Sequence, residues 1–110
     1  MVTSLAEKTC TTCRGGVAPL KGTELATLRE ALNEEWLVVD DQRLEREFKF
    51  KNFVEALAFT NAVGALAEAE KHHPDIHLAW GMVRVLLWTH KVGGLTENDF
   101  ILAAKIDGIT

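Results

Sequence analysis

The sequence has no excess of positive charge and no long apolar run. Its 12 Lys and Arg residues are outnumbered by 16 Asp and Glu residues, for a formal net charge of −4, which argues against binding to nucleic-acid phosphates. No apolar run approaches the roughly 20 residues that cross a bilayer. The N-terminus shows no basic segment leading into an apolar one, as a secretory signal would. The sequence therefore predicts a cytoplasmic protein that binds neither nucleic acid nor membrane.

Cysteine is also scarce. The two cysteines, Cys10 and Cys13, form a single CxxC motif followed by Arg14 and two glycines. A structural zinc site usually has a second pair of ligands, and a redox CxxC usually opens a helix after a strand. Neither context is present, so an incidental role is favoured, with metal binding and redox chemistry as the alternatives.

The length of the chain limits its organisation. A chain of 110 residues, 47% hydrophobic and 25% charged, can bury one modest core but cannot form two domains. Residues 1–22 contain two adjacent glycines, Pro19, Gly22 and little apolar periodicity, which predicts a loosely ordered N-terminal arm carrying the CxxC motif. Residues 23–110 are predicted to form a single domain.

The first half of this domain is predicted to form a helix and a hairpin. Leucines at helical spacing predict a helix from an N-cap at Thr23 to about Asn33. Residues 36–39 and 43–50 predict two strands joined by a turn at two aspartates. Arg46 interrupts the apolar side of the hairpin, which predicts a position near an edge or over the rim of the core.

A second helix is predicted from an N-cap at Asn52 to about Lys71, because Pro74 cannot continue it. Between Phe53 and Ala67 few residues are clearly polar, so this helix is predicted to be covered on more than one side. One cover would be the sheet and the other a second copy of the chain. The sequence therefore predicts a homo-oligomer.

Two further strands, residues 76–80 and 82–89, precede the last helix. Thr96, with Asp99 three residues later, resembles a capping box that opens this helix. The order helix, two strands, helix, two strands, helix predicts an α+β two-layer domain. Its four-stranded, mainly antiparallel sheet would carry three helices on one face.

The four histidines lie close together in the sequence, at positions 72, 73, 77 and 90. Histidine both gives and takes a proton near neutral pH, so this concentration indicates proton-transfer chemistry. His72 and His73 stand where the second helix stops, and turns commonly display binding groups. His77 lies within a strand without a partner in sequence and is predicted to be structural. A metal site is the weaker alternative, because no carboxylate or cysteine stands at HxH or HExxH spacing.

Two carboxylates border the histidines. Glu68 lies one helical turn before His72, so it can hold an imidazole in one tautomer, although a solvated helix face explains it almost as well. Asp99 is explained by helix capping, which is worth about 1 kcal/mol. A structural role is therefore predicted for Asp99.

Together these residues resemble the pterin-4a-carbinolamine dehydratases. That family's pattern is an acidic residue, three spacers, His, His or Asn, Pro, five spacers, an aromatic, nine spacers, His or Trp, and Asp after a glycine-containing loop. The residues at these spacings are Glu68, His72, His73, Pro74, Trp80, His90 and Asp99. The resemblance extends over about residues 20–107 and includes the segment THKVGGLTENDF and the early Trp36.

The resemblance implies an activity and partners. The implied reaction is loss of water from 4a-hydroxytetrahydrobiopterin to give the quinonoid dihydropterin, which recycles the pterin cofactor of aromatic amino acid hydroxylases. No metal or organic cofactor is implied, and the expected assembly is a dimer or tetramer. Some relatives serve as dimerisation cofactors for a transcription factor or as assembly helpers, so a protein-interaction role is the alternative function.

The resemblance also implies site residues. His72 and His90 would be the acid and base groups, His73 would complete the catalytic set by holding the substrate, and Asp99 would support them. The residues expected to line the pterin are Glu68, Lys71, His72, His73, Pro74, Trp88, Thr89, His90 and Lys91. Trp88 is expected to fill the sheet face rather than stack on the pterin, because strand aromatics usually pack in cores.

Overall fold

The computed structural model describes Leu5 and residues 19–110. Within these residues the chain forms three α-helices and four strands, with a 3₁₀ turn after the last strand. In chain order they are α1 (Gly22–Glu30), β1 (Leu37–Val39), β2 (Arg43–Lys49), α2 (Phe53–Glu70), β3 (Asp75–Ala79), β4 (Met82–Leu87), the 3₁₀ turn (His90–Val92) and α3 (Glu97–Asp107). The predicted order of elements is confirmed. Most of the predicted arm, including Cys10 and Cys13, lies outside the described residues.

The strands form an antiparallel sheet in the order β1-β2-β4-β3. The β1–β2 hairpin turns at Asp40 and Asp41, both with a φ of +53°, a left-handed conformation that Asp tolerates better than most residues. In the centre of the sheet, Leu44 of β2 lies opposite Leu87 of β4. The α+β class and the antiparallel sheet are confirmed, and the strand order is new information.

The helices form a second layer against the sheet. α2 packs on β3 and β4, α3 packs beside α2, and α1 packs against α3. Side chains alternate along β4, so Val83, Val85 and Leu87 are fully buried on its inner face. Other large, fully buried side chains are Trp36, Leu44, Leu95, Phe100, Leu102 and Ile106. The two layers therefore share one core.

Helix starts follow the predicted caps in α2 and α3 but not in α1. Oδ1 of Asn52 accepts the N–H of Glu55 at 2.9 Å, as expected for an N-cap. α1 begins earlier than predicted, with Lys21 rather than Thr23 at its N-cap, and ends at Glu30. The N–H of Leu20 already donates to a loop carbonyl at 2.7 Å, so the chain is held against the domain before Thr23.

Arg46 lies on a central strand, so of its two predicted positions the one near an edge is wrong, and the one over the rim of the core fits its partly exposed side chain. Its guanidinium carbon lies 4.4 Å from the centroid of the Phe48 ring, and Nη1 donates to Oδ1 of Asp107 at 2.6 Å. The same carboxylate accepts the indole N–H of the fully buried Trp36 at 2.8 Å. The apolar face of β2 accommodates Arg46 because its charge is paired at the end of α3.

α2 has one buried face and one exposed apolar face. The buried residues are Ala56, Phe59, Val63 and Ala67. Elsewhere on the helix Val54 is 74% exposed and Leu57 is 40% exposed. Among the described helices, none combines the length and apolarity needed to cross a membrane. Cover by the sheet is confirmed, and cover by a second copy stays a prediction.

Candidate active site

His72 is placed by the way α2 ends. Lys71 adopts a left-handed conformation with a φ of +55°, and its N–H donates to the carbonyl of Glu68 at 3.3 Å. The N–H of His72 donates to the carbonyl of Ala67 at 3.2 Å, which completes a Schellman motif. Pro74 prevents any continuation of the helix, so the chain leaves α2 at His72 itself.

Asp99 is placed by the start of α3. Its Oδ2 accepts the N–H of Thr96, three residues earlier, at 2.9 Å, in the capping box that the sequence predicted. Asp99 is also fully buried. A carboxylate is buried only when it is well paired, so capping alone does not account for Asp99.

The partner of Asp99 is His72, 27 residues away in sequence. Nε2 of His72 lies 2.6 Å from Oδ1 of Asp99, and His72 is only 9% exposed. Oγ1 of Thr89, which is 2% exposed, donates to Oδ2 of Asp99 at 2.9 Å. A carboxylate on one ring nitrogen orients the imidazole, and the other ring nitrogen can then exchange a proton.

His73 has a different partner. Its Nε2 lies 2.8 Å from Oε2 of Glu68, and both side chains are more than half exposed. Glu68 therefore holds an imidazole, and the imidazole is that of His73 rather than that of His72. This exposed pair is accessible to a bound molecule.

His90 opens the 3₁₀ turn after β4 and is exposed. Its ring centroid lies 4.4 Å from that of Trp88, with the planes inclined at 34°. Trp88 is half-buried and packs against the core, as expected. Trp88 therefore links the exposed His90 ring to the rigid sheet.

The loop that carries His90 is closed at its base. The N–H of Thr89 donates to the carbonyl of Gly94 at 2.8 Å, and the N–H of Val92 donates to the carbonyl of Thr89 at 3.2 Å. A Cβ added at Gly94 would lie 2.7 Å from Cβ of Pro19. Only glycine therefore lets residues 19–20 lie this close to the loop.

The remaining predicted residues lie at the edge of this group or outside it. Lys71 and Lys91 are exposed, and Pro74 is half-buried. His77 is exposed on β3, opposite Arg84 of β4. The contacts thus join His72, Asp99 and Thr89, with His90 next along the chain, and they leave His77 out.

Sequence reasoning missed the Thr89 side chain, which was expected only to line the substrate. Its Oγ1 contacts Asp99 and also lies 2.8 Å from Oγ1 of Thr96. A signal was present, because Thr89 continues the alternation of Val83, Val85 and Leu87 on the buried face of β4. A hydroxyl on a buried face needs a polar partner.

A metal site is not formed by the described residues, in which no three His, Cys, Asp or Glu side chains are grouped closely enough to hold an ion. The zinc alternative depends on Cys10 and Cys13. Those residues lie outside the described part of the chain, so that alternative is untested.

The fold and the site define a two-layer α+β protein with a buried histidine–aspartate pair where α2 ends and α3 begins. Residues 18–109 match the family model described as pterin 4 alpha carbinolamine dehydratase. A protein of Alkaliphilus metalliredigens, provisionally named pterin-4-alpha-carbinolamine dehydratase, is 55% identical over 104 residues, which cover 94% of each chain. The chain belongs to the pterin-4a-carbinolamine dehydratase family. The predicted resemblance is confirmed, and with it the prediction of an enzyme of the hydro-lyase class.

Solved structures carry the same fold. The crystal structure of a transcriptional coactivator/pterin dehydratase from Brucella melitensis is 36% identical, with a TM-score of 0.76, over 83% of this chain and 97% of that one. A pterin dehydratase-like protein identified as a RuBisCO assembly factor in the alpha-carboxysome is 25% identical, with a TM-score of 0.59, over 68% of this chain and 88% of that one. The fold thus occurs in proteins described by enzymatic roles and by protein-interaction roles.

Proposed function

We propose that this protein dehydrates 4a-hydroxytetrahydropterins by histidine acid–base catalysis and so recycles the pterin cofactor of aromatic amino acid hydroxylases. Membership of the family supports the reaction. The observation that carries the assignment of residues is the buried contact of 2.6 Å between His72 and Asp99. It holds one imidazole in a fixed orientation within a group of residues that also includes the start of the His90 loop.

The proposed chemistry moves protons only. One group gives a proton to the hydroxyl on C4a of the pterin, so that the C4a–O bond breaks and water leaves. A second group takes the proton from N5, and the electron pair of that N–H bond forms the N5=C4a double bond of the quinonoid product. His72 and His90 are proposed for these two transfers, which typically contribute about 10² to 10⁴ in rate. No metal or organic cofactor is part of the proposal.

The proposed substrate site lies between the end of α2 and the loop after β4. His73, held by Glu68, would bind the pterin, and backbone groups of residues 71–73 and 88–91 would match the donors and acceptors of its ring system. Two exposed features support this position, the His73–Glu68 pair and the His90 ring. His73 follows His72 in the chain, and His90 follows Thr89, whose hydroxyl donates to Asp99.

The direct test is turnover of 4a-hydroxytetrahydrobiopterin generated in situ and followed by stopped-flow absorbance. The purified protein should accelerate loss of water above the uncatalysed rate in proportion to its concentration, and heat-denatured protein should not. A folded sample without acceleration would contradict the enzymatic proposal. The alternative, binding of another protein through the same fold, would then be favoured.

A second copy of the chain is the proposed cover for the exposed face of α2. Val54 and Leu57 are the observations that favour it, because contiguous exposed apolar residues commonly mark an interface. The assembly would be a homodimer or homotetramer. The same face could serve the alternative interaction role.

Light scattering at micromolar concentration should give a mass of at least twice the 12.2 kDa of one chain. Val54→Glu should lower this mass, because it places a charge in the proposed interface. Leu37→Glu is a matched control, since Leu37 is 60% exposed on β1 at the far edge of the sheet from β3. A monomeric parent protein would refute the proposal.

A further inference from the structure

We propose that Thr89 is a positioning residue whose hydroxyl fixes the orientation of the Asp99 carboxylate and, through it, the orientation of the His72 ring. The proposal rests on the proposed function for its kinetic consequence, but its structural part concerns the resting protein. The hydroxyl of Thr89 and the main-chain N–H of Thr96 both donate to one carboxylate oxygen of Asp99. The other oxygen is then left to accept a hydrogen bond from His72.

The contacts assign the two oxygens of Asp99 to different partners. Oδ2 lies 2.9 Å from both the N–H of Thr96 and the hydroxyl of Thr89. Oδ1 lies 2.6 Å from Nε2 of His72. All of these groups except Thr96 are buried, so water does not compete freely for them.

The direction of the hydroxyl protons follows from counting them. Thr89 and Thr96 have one hydroxyl proton each, and their oxygens lie 2.8 Å apart. If Thr89 donated to Thr96, its oxygen would face the Asp99 carboxylate without a proton between them, which is repulsive. Thr96 therefore donates to Thr89, and Thr89 donates to Asp99.

The carboxylate of Asp99 determines the tautomer of His72, and the donors on Oδ2 determine which oxygen His72 contacts. With Asp99 as a carboxylate and Oδ2 occupied by two donors, Oδ1 is an acceptor, so Nε2 of His72 carries a proton. In the neutral imidazole the lone pair is then on Nδ1. Nδ1 is therefore the atom through which His72 exchanges a proton with the substrate.

Thr89 also connects the two proposed catalytic histidines. Its side chain acts on His72 through Asp99, and its main chain closes the loop that begins at His90 through contacts with Gly94 and Val92. One residue thereby orients His72 and closes, at its base, the loop that carries His90. This double role explains why a hydroxyl is placed on the otherwise apolar inner face of β4.

The first test is ¹⁵N NMR of the histidine rings in the parent protein without substrate, because protonated and bare ring nitrogens give well-separated signals. The neutral form of His72 should carry its proton on Nε2. Thr89→Val keeps the shape of the side chain and removes the hydroxyl, so Asp99 loses one of the two donors on Oδ2. The carboxylate should still hold the proton on Nε2 of His72, but it should turn more freely, so the ¹⁵N signals of His72 should shift and broaden. Thr89→Ser should restore the parental signals.

The second test is kinetic. Thr89→Val should lower kcat by about tenfold or more, the effect of losing one hydrogen bond to a charged group, with a smaller change in KM, and Thr89→Ser should recover most of the loss. Thr60→Val is the matched control, since it makes the same chemical change on α2, where the hydroxyl donates to the carbonyl of Ala56 and not to Asp99. It should keep the parental kcat and the parental ¹⁵N signals of His72.

Two results would overturn the proposal. One is a parent protein in which neutral His72 carries its proton on Nδ1, a result that needs no variant to fold. The other is a folded Thr89→Val protein with the parental ¹⁵N signals of His72 and the parental kcat. A parent protein that fails to dehydrate the pterin while showing the expected tautomer would contradict the proposed function and leave the positioning role intact.

Discussion

Replacement of His72 by alanine is expected to lower kcat for pterin dehydration by about 10²- to 10⁴-fold, the usual contribution of a positioned acid or base. Alanine removes the imidazole whose orientation is set by Asp99 and leaves the exposed His73–Glu68 pair in place. Substrate binding should therefore weaken less than turnover, so KM should change less than kcat. Stopped-flow assays of folded variant and parent protein measure both quantities.

His77→Ala is the matched control for this prediction. It removes the same side chain from β3, where His77 is exposed and outside the contacts that join His72 to Asp99 and Thr89. Its kcat should remain close to that of the parent protein. If folded His72→Ala turned over substrate as fast as His77→Ala, His72 could not be the acid or base.

Features that depend on neighbouring residues were predictable from the sequence. The start of α2 at Asn52, its end before Pro74 and the capping box between Thr96 and Asp99 each involve residues within four positions of one another. Cap and breaker chemistry acts over that range. The hairpin turn at Asp40 and Asp41 is a similar case. These local patterns were sufficient to give the order of elements and the fold class.

Contacts between distant segments were not predictable in the same way. The sequence pattern of β2 showed that Arg46 interrupts an apolar face. It did not show that Arg46 pairs with the carboxylate of Asp107, 61 positions later. The capping pattern likewise explained Asp99 without His72, and it favoured a structural role. Only the docking of α3 beside the end of α2 gives that carboxylate its second partner. The family resemblance grouped the same residues without indicating how they touch.

Asp99 both caps α3 and contacts His72, and this combination affects the energetics of the site. As the capping residue of α3, Asp99 is held by its own helix, so it does not need to be ordered when His72 binds to it. Orienting an imidazole with a group that is already rigid avoids an entropic cost at the site. The stability of α3 and the orientation of His72 are therefore coupled through Asp99.

Asp99→Asn is expected to have the second large effect, a loss of about 10²- to 10⁴-fold in kcat. An amide has one acceptor oxygen and one donor nitrogen. If the oxygen faces Thr96 and Thr89, the nitrogen donates to Nε2 of His72 and drives the ring to the tautomer with its proton on Nδ1.

If the amide flips, its nitrogen faces the N–H of Thr96, and this partly buried donor loses its acceptor, which costs up to about 1–3 kcal/mol. Either orientation damages the site. In the flipped orientation, urea unfolding should show a loss of stability. In the unflipped orientation, ¹⁵N NMR should show a changed tautomer of His72. Asp41→Asn is the matched control, because it makes the same chemical change in an exposed turn where Asn also tolerates the left-handed backbone. A folded Asp99→Asn protein with the turnover and tautomer of Asp41→Asn would mean that Asp99 serves only to cap α3.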